Sequence, residues 1–582
     1  MAGLLDRERI VAGPGFNRWL VPPAALAIHL SIGMAYGFSV FWLPLSKAIG
    51  VTAPVPCAAD TSLLSPLFTT TCDWKISQLG WMYSLFFICL GSSAALFGGW
   101  LERVGPRKAG VVAAFCWGGG FFLSAIGIRT HQLWLMLLGS GVIGGCGLGL
   151  GYVSPVSTLI RWFPDRRGMA AGMAIMGFGG GAIIGAPLKR YFIRLFYDAP
   201  DYLGTIDQVR LVTEGGRRFA EVAGQMREVV VVGANDVAGM IVRGAEGVYV
   251  VGTGNVGVAA TFVTLGIIYF VVMLIAAFSY RLPAPGWKPA GWTPPSEAQR
   301  SKRMISTHDV GINEALRTRQ FWQLWIVLCF NVTAGIGVLS VAQTMMTEIF
   351  GTTLPSIVDG SFAATYVMMI SVFNMLGRFF WASTSDYIGR RNTYWIFFAL
   401  GIALYLSIPF VAQRVSVMPA VIWLVYFYAA TMIIFTMYGG GFATIPAYLA
   451  DMFGTRYVGG IHGRLLTAWS LAGYLGPVAI TTLRARALDS ALRDLAARVD
   501  PARFRQVFGA GLDQLDALVA QKTVTIAKLM EIVPAGTIDP TPSLYNLTMY
   551  LMAALLAIAL VANALMKPVR AEHYLAEREV KA

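Results

Sequence analysis

The stretch from Asn374 to Arg391, NMLGRFFWASTSDYIGRR, decides the fold class. It continues an apolar run that starts near Phe362, contains one isolated charge at Arg378, and ends in a charged turn from Asp386 onward. In a helix that rises about 1.5 Å per residue, Arg378 lies about 12 Å from that turn. This places it near the middle of a hydrocarbon layer about 30 Å thick. A charge there costs at least about 2.5–3.5 kcal/mol, so we expect Arg378 to face a cavity or a partner.

The composition is that of an integral membrane protein. The 582 residues are 56% hydrophobic and 13% charged, whereas a soluble domain averages about 25% charged residues. Apolar runs of about 20 residues recur along the chain, which is the signature of membrane spans. We predict an all-α membrane protein with twelve transmembrane helices in two pseudo-symmetric halves of six, and two extracytoplasmic insertions. The net charge of +14 is not a nucleic-acid signal, because the basic residues lie in short loops on alternate sides of the spans.

Basic residues concentrate in the loops on one predicted side, which by the positive-inside rule is cytoplasmic. Both termini and the central linker are therefore predicted to be cytoplasmic in a multi-pass protein of the inner (plasma) membrane. The predicted segments are the N-terminal half with spans one to five (1–188), an extracytoplasmic insertion (189–255), span six (256–280), a cytoplasmic linker (281–319), the C-terminal half with spans seven to eleven (320–483), a second insertion (484–544), span twelve (545–566) and a cytoplasmic tail (567–582).

The two insertions occupy corresponding positions in the two halves. The first contains two valine-rich runs, 227–233 and 247–252, that are typical of short strands. The second has apolar residues at helical spacing. They are expected either to pack together as a cap or to bind a partner. Cys57 and Cys72 share the first predicted extracytoplasmic loop, where a disulfide can form, although spacing alone does not establish the geometry.

Two predicted cytoplasmic turns repeat one pattern, a carboxylate followed three residues later by glycine and then by basic residues. The glycine permits a tight turn, while the acid and the bases can pair across helix ends. Such pairs either act as a gate or simply anchor the loop, and the repetition in both halves favours the gate. The residues concerned are Glu102, Arg103, Gly105 and Arg107 in the first half, Asp386, Gly389, Arg390 and Arg391 in the second, and Asp165 and Arg166 after span four.

These motifs together resemble the Major Facilitator Superfamily, and within it the oxalate/formate antiporter family. The resemblance is carried by YGFSVF from Tyr36, GPR from Gly105, RWFPDRRG from Arg161, and GRFFW from Gly377. It covers nearly all the spans but neither insertion. It implies a carrier of small carboxylates that binds them between two six-helix halves and works by alternating access. It further implies a substrate-binding arginine in span eight, matched by Arg378, and an aromatic box whose candidates are Tyr36, Tyr152, Tyr438 and Phe442.

The sequence departs from this family at one informative position. Trp469 stands in span eleven where the oxalate transporter has a lysine. One arginine balances one carboxylate through a bidentate pair, so the substitution favours monocarboxylates such as formate, lactate or pyruvate. His29, deep in span one, either packs as a hydrogen-bonded side chain or carries a coupled proton.

We therefore expect a secondary active transporter of small monocarboxylates, working by proton symport or anion exchange. The alternatives are an oxalate/formate-type dicarboxylate antiporter and a non-transporting sensor that uses its outer insertions. The solvent-facing segments contain no metal-ligand spacing, nucleophile elbow or nucleotide loop, so no enzyme activity, metal or cofactor is expected. The expected partners are the carboxylate substrate, the lipid bilayer and protons, without nucleic acid, and the protein is expected to be a monomer.

Overall fold

A computed structural model describes residues 3–55, 57, 64–214, 217–233, 237, 240–306, 308–520 and 523–575. The predicted tail over 567–582 therefore lies partly outside the described residues. Within them, twelve helices are long and apolar enough to cross a membrane. They are α1 Arg18–Leu45, α2 Ile76–Val104, α3 Pro106–Arg129, α4 Leu133–Trp162, α5 Arg167–Leu195, α6 Val258–Ser279, α7 Arg319–Phe350, α8 Gly360–Ile388, α9 Arg390–Val417, α10 Val421–Phe453, α11 Val458–Ala496 and α12 Thr541–Ala564.

The twelve predicted spans are thus confirmed, and several of the helices extend beyond the apolar runs. Helix α5 continues to Leu195, seven residues past the predicted end at Leu188, and α11 continues to Ala496 instead of ending at Leu483. Both extensions carry polar side chains into segments that the sequence assigned to insertions. Hydropathy marks where the apolar run stops, whereas the backbone hydrogen bonds of a helix continue until a capping residue or a change of chain direction ends them.

The chain forms two compact units, whose boundaries do not follow the two halves of six helices. Unit 1 comprises residues 1–318, 443–470 and 568–582, and unit 2 comprises residues 319–442 and 471–567. Unit 1 therefore contains α1 to α6 and, in addition, the end of α10 and the beginning of α11. The charged contacts described below also join those two segments to α2, α4 and α5.

Helix α1 of unit 1 is irregular along its length. Residues Val21–Gly33 are α-helical, Met34–Phe41 form a 3₁₀ segment, and Trp42–Leu45 return to α-helix. Gly37 lies outside helical geometry, with φ −93° and ψ 18°. Because 3₁₀ hydrogen bonds have poorer geometry than those of an α-helix, a segment of this kind inside a helix often marks a hinge.

The first insertion of unit 1 is a small antiparallel sheet. Its strands are β1 Tyr202–Gly204, β2 Leu211–Glu214, β3 Arg217–Val222, β4 Gln225–Val232 and β5 Gly247–Val250. Their order is β1-β5-β4-β3-β2. The two valine-rich runs predicted as strands form β4 and β5, which pair with each other at the centre of the sheet.

The loop between α1 and α2 packs on that sheet. It contains a disulfide between Cys57 and Cys72 with a Cα–Cα distance of 5.0 Å, and Cys72 lies in one apolar cluster with Val230 of β4 and Tyr249 of β5. The Asp73 carboxylate accepts hydrogen bonds from the backbone amides of residues 49, 50 and 55 at 2.8–3.1 Å. A buried carboxylate with three amide donors is well satisfied, so this residue fixes the course of the loop.

The second insertion, in unit 2, is helical as predicted. Helix α11 supplies its first part, and Pro501–Phe508, Leu515–Ala520 and Ile526–Met530 follow as short helices. The first of these is capped by Asp500, whose side chain accepts hydrogen bonds from two backbone amides. Such N-caps satisfy donors that the helix itself leaves open.

Candidate substrate-binding and gating residues

Arg378 of α8 is buried inside unit 2, with no exposed surface. Its Nε donates a hydrogen bond to Oδ1 of Asn374, one helical turn earlier, at 3.1 Å. Its guanidinium carbon lies 5.2 Å from the centre of the Phe442 ring on α10. The Tyr438 ring is in turn 5.3 Å from that of Phe442. Three predicted substrate-binding residues, one arginine and two aromatic residues, therefore lie together in this unit.

The chemistry of this cluster suits a small anion. Asn374 and the Phe442 ring hold the guanidinium through an amide oxygen and a π-face, and neither group removes its net charge. A charge-assisted hydrogen bond is about twice as strong as one between neutral groups, and a guanidinium can hold a carboxylate through two of them. Arg378 is fully buried, and a charge-assisted hydrogen bond is stronger in the protein interior than in water.

The close approach of α8 and α10 depends on a glycine next to the arginine. A Cβ placed on Gly377 would lie 2.2 Å from the backbone oxygen of Thr436 on α10. No side chain larger than hydrogen fits at that distance unless the backbone moves. Gly377 therefore sets the distance between the two helices that carry Arg378 and Phe442.

Unit 1 contains the other predicted aromatic residues in one buried cluster. The rings of Tyr152 on α4 and Trp469 on α11 lie 5.3 Å apart, and both side chains are fully buried. Phe178 on α5 lies 5.4 Å from Tyr152 and 5.3 Å from Trp469, and the Tyr36 ring is 5.0 Å from Phe178. Sequence reasoning missed Phe178, because a single phenylalanine in a glycine-rich span is indistinguishable from a packing residue.

His29 adjoins this aromatic cluster. Its ring stacks on Tyr152 at 5.0 Å, with 19° between the planes, and its Nε2 lies 3.0 Å from the Tyr152 backbone oxygen. A second buried histidine, His462 of α11, lies with its ring centre 5.8 Å from that of Tyr152. His462 was not predicted as a site residue, although it lies within the eleventh predicted span, because a histidine near the end of a span is indistinguishable by sequence from a packing residue.

Lys189 was also missed, because the sequence placed it in the first insertion. In the structure it belongs to α5 and has no exposed surface. Its Nζ donates a hydrogen bond to the Met34 backbone oxygen at 2.6 Å. It lies 5.2 Å and 5.3 Å from the ring centres of Phe38 and Phe41 on α1. Unit 1 therefore contains a fully buried cation of its own.

The predicted gating motif of the first half makes contacts that differ from those its sequence suggested. Glu102 is 7% exposed and pairs with Arg161 of α4, not with the bases of its own turn. Its other carboxylate oxygen accepts a hydrogen bond from the backbone amide of Gly459 at 2.8 Å. Gly459 is the second residue of α11, so the carboxylate also lies at the positive end of that helix.

The basic residues of the same turn serve other purposes. Arg107 donates hydrogen bonds to the backbone oxygens of Leu4 and Phe278, at 3.0 Å and 3.1 Å, and so ties the turn to the N-terminal segment and α6. Arg103 is exposed. Gly105 has φ +83°, which a residue with a side chain rarely adopts. The glycine thus permits the turn, as its position predicted.

Two more ion pairs lie in the same part of unit 1. Arg167, at the start of α5, donates to Oδ1 of Asp451 near the end of α10 at 2.9 Å. Arg18 holds Asp165 through two hydrogen bonds of 2.7 Å and 2.9 Å, whereas the predicted neighbour Arg166 is exposed. Glu102 and Arg167 between them attach the ends of α10 and α11 to the first six helices.

In the corresponding turn of unit 2, the carboxylate pairs with an arginine of the same turn. Asp386 pairs with Arg390 at 2.6 Å, across the junction of α8 and α9. Gly389 has φ +88°, which matches Gly105. Arg391 donates to the backbone oxygen of Ala564 at the end of α12. The two halves therefore share the turn and its glycine, but their carboxylates have different partners.

Unit 2 has a further ionic cluster that the sequence analysis did not identify. Glu348 on α7 is paired with Arg484 on α11 and accepts a hydrogen bond from the Tyr545 hydroxyl at 2.6 Å. In the sequence, Glu348 lies near the end of one apolar run and Arg484 lies just after another apolar run. These positions do not predict a pair, because the sequence does not show which helices are neighbours.

Comparison with known proteins extends these observations. The sequence profile described as Major Facilitator Superfamily matches residues 24–199 and 232–477. The chain is similar to an oxalate:formate antiporter of Oxalobacter formigenes, with 25% identity over 380 residues, covering 62% of this chain and 70% of that protein. It is similar to apicoplast pyruvate carrier 1 of Toxoplasma gondii, with 23% identity over 422 residues and 69% of each chain covered.

A solved structure shares the fold. The Escherichia coli fucose:proton symporter superposes with a TM-score of 0.50 at 12% identity, covering 94% of this chain and 98% of that one. At this identity the likeness concerns the fold alone. The profile match spans most of the chain, from α1 into α11, and so includes helices of both halves. The protein described here belongs to the Major Facilitator Superfamily and is a multi-pass membrane transporter.

Proposed function

We propose that the protein is a secondary active transporter of small organic anions, in the first place monocarboxylates such as formate, lactate and pyruvate. The observation that carries the proposal is Arg378, a fully buried arginine within the membrane-spanning helix α8, beside an amide and an aromatic ring. Intramembrane charges of this kind mark substrate pathways. The names of two similar proteins, an oxalate:formate antiporter and a pyruvate carrier, point to the same class of substrate.

The proposed role of Arg378 is to bind the substrate carboxylate through two parallel hydrogen bonds. The bound anion neutralises the guanidinium, which lowers the penalty of keeping a charge away from water. Tyr438 and Phe442 next to it are proposed to limit the size of the anion. The assignment of Tyr36, Tyr152 and Trp469 of unit 1 as substrate-binding residues stays a proposal of its own, supported by the fact that aromatic side chains offer an apolar body together with a polar tip.

Uptake into proteoliposomes tests the assignment. The wild type is assayed with labelled formate, lactate, pyruvate, oxalate and malonate. Arg378→Gln is expected to lower kcat/KM about 10–150-fold, the equivalent of one charge-assisted hydrogen-bonded contact. Arg378→Lys keeps the charge but loses the planar pair of N–H donors that can bind both carboxylate oxygens, so an intermediate loss of kcat/KM is expected. Arg414→Gln is the matched control, because this exposed arginine lies at the end of α9 in the same unit.

Two results would overturn the proposal. One is wild-type protein that takes up none of these acids while being correctly folded. The other is an Arg378→Gln variant with unchanged kinetics. High-rate oxalate exchange by the wild type would instead support the dicarboxylate antiporter alternative and refute the argument from Trp469. Deleting 189–255 and 484–544 tests the sensor alternative, since a transporter should keep its uptake.

Transport is proposed to be coupled either to protons or to exchange of a second anion, and His29 is the candidate proton carrier. The support is its location, stacked on Tyr152 inside unit 1. A His29→Gln variant is expected to keep exchange of internal for external substrate but to lose accumulation driven by a pH gradient. If pH-driven accumulation persists, His29 is a packing residue and coupling must be sought elsewhere.

The ion pairs of unit 1 are proposed to form a gate that opens and closes during alternating access. Glu102, paired with Arg161, holds the start of α11 by accepting the Gly459 amide, and Arg167 holds the end of α10 through Asp451. These contacts involve partly buried charges and backbone amides, so they are specific in geometry yet reversible. Their predicted location on the cytoplasmic side follows from the distribution of basic residues.

A further inference from the structure

Lys189 is a buried charge that the proposed mechanism does not use. It lies in α5, about 9 Å along the helix from the end at Leu195. A lysine near a helix end usually extends its ammonium to the water interface. Lys189 does the opposite, because no part of it is exposed. A role as an anchor at the membrane interface therefore does not explain the burial of Lys189.

The surroundings of the ammonium leave its charge uncompensated. An ammonium has three hydrogen-bond donors, and Nζ donates to one acceptor, the backbone oxygen of Met34. The rings of Phe38 and Phe41 add weaker attraction. Among the residues that the structure describes, no carboxylate lies within ion-pair distance of Lys189. A neutral carbonyl and two rings offset the cost of burying a charge only in part.

The contacts of Lys189 all lie in the irregular part of α1. Met34 begins the 3₁₀ segment, and Phe38 and Phe41 belong to it. A Cβ placed on Gly37 in the same segment would lie 3.5 Å from Nζ, so the ammonium lies beside this glycine, on the side where a side chain would project. A segment with weak internal hydrogen bonds is the part of α1 best able to move. Because the Met34 oxygen belongs to this segment, its movement would separate that oxygen from the ammonium.

We propose that Lys189 is a carboxylate-binding residue of unit 1, which contacts the transported anion when the 3₁₀ segment of α1 moves. This inference rests on the proposed function and deepens it. A carboxylate gives the ammonium a charge-assisted hydrogen bond in place of a bond to a neutral oxygen, and such bonds are about twice as strong. It also qualifies the argument from Trp469, because the protein contains a second buried cation on another helix.

Variants separate a charge role from a structural one. Lys189→Gln keeps a hydrogen-bond donor for the Met34 oxygen but removes the charge, and Lys189→Arg keeps the charge. For the acid that the wild type transports best, Lys189→Gln is expected to raise KM at least about tenfold, as for loss of a charge-assisted contact. Lys189→Arg is expected to stay within a few-fold of wild type. Arg190→Gln, at the exposed neighbouring position, is the control and should change nothing.

A tether without contact to the substrate gives the opposite pattern. In that case Lys189→Gln matches the wild type in KM, and this result overturns the proposal. The charge should matter more for a doubly than for a singly charged anion, because the Coulomb energy is proportional to the substrate charge. We therefore expect a larger rise of KM for malonate than for pyruvate wherever both are transported.

A measurement on the wild type covers the case in which Lys189→Gln does not fold. Protein with isotope-labelled lysine side chains is reconstituted with an isotope-labelled carboxylate, and solid-state NMR detects dipolar coupling between the lysine nitrogen and the carboxylate carbon. Coupling that is present in wild type and absent in Lys189→Arg supports the contact. Absence of coupling in wild-type protein that transports the same acid overturns it. Absence of any carboxylate uptake by the wild type is instead a failure of the proposed function.

Discussion

The contact between Glu102 and Arg161 gives the sharpest prediction about the gate. The two side chains are 6% and 17% exposed, so water screens their attraction only weakly. Glu102 also accepts the Gly459 amide at 2.8 Å, and Arg161 donates to the Arg456 backbone oxygen at 3.0 Å. Replacing Glu102 by Gln keeps an acceptor for Gly459 but removes the charge. The perturbation therefore isolates the ionic part of the contact.

The expected magnitude follows from the type of bond. A hydrogen bond to a charged group contributes about 1.5–3 kcal/mol, which corresponds to about 10–150-fold in an equilibrium constant. We expect this range for the coupling energy between Glu102→Gln and Arg161→Gln. The double variant should be little less stable than the worse single variant, because the second substitution removes a group that has already lost its partner.

The assay is a double-mutant cycle on the free energy of unfolding, measured by denaturant titration of the purified transporter in micelles. The control cycle uses Asp489 and Arg493, an exposed pair one helical turn apart on α11, for which no measurable coupling is expected. Strict additivity at Glu102 and Arg161 would refute the argument that this contact holds α11 in place. Coupling without any change in transport rate would show that the pair is structural and not a gate.

Three other predictions concern different parts of the molecule. Burial raises the pKa of the Asp73 carboxyl from 3.8 to about 6, against the opposing effect of its backbone amide donors. Because the folded pKa lies above the unfolded one, the loop should lose stability as the pH rises from about 4 to 6, and its stability should be constant at higher pH. The reduction rate of the loop's disulfide measures this stability, and Asp73→Asn should remove the pH dependence. Glu348→Gln should destabilise unit 2 by about 1–3 kcal/mol in denaturant titrations, since it leaves the charge of Arg484 without its carboxylate, and an unchanged midpoint would contradict that role. Gly377→Ala should lower uptake and thermal stability together, because its Cβ would collide with α10, while the exposed Gly360→Ala at the start of α8, with open space around its Cβ, should be tolerated.

Much of the architecture follows from local patterns in the chain. The spans could be predicted because each must satisfy its own backbone hydrogen bonds in lipid, which requires about 20 apolar residues in a row. The strands β4 and β5 could be predicted from two valine-rich runs, since β-branched residues favour a pleated surface. Arg378 stood out because a single charge in an apolar run has to be accommodated by the fold.

The partners of the charged residues could not be predicted in the same way. Glu102 is followed by bases of its own turn, yet it contacts Arg161 and Gly459, which are distant in sequence. Asp386 in the matching turn contacts its neighbour Arg390. Both turns have the same glycine and the same pattern of charges, so only the packing of the helices distinguishes them.

Lys189 shows most clearly the difference between what the local sequence predicts and what the packing of distant segments decides. By itself the sequence determined the number of spans, two of the five strands of the first insertion, and a lone arginine in an apolar run, because these depend on the order of residues within one segment. Whether Lys189 lies in water or in the protein depends on how far α5 continues and on what α1 places beside it. Burial and charge pairing are properties of residues brought together from distant parts of the chain, and only the tertiary structure decides them.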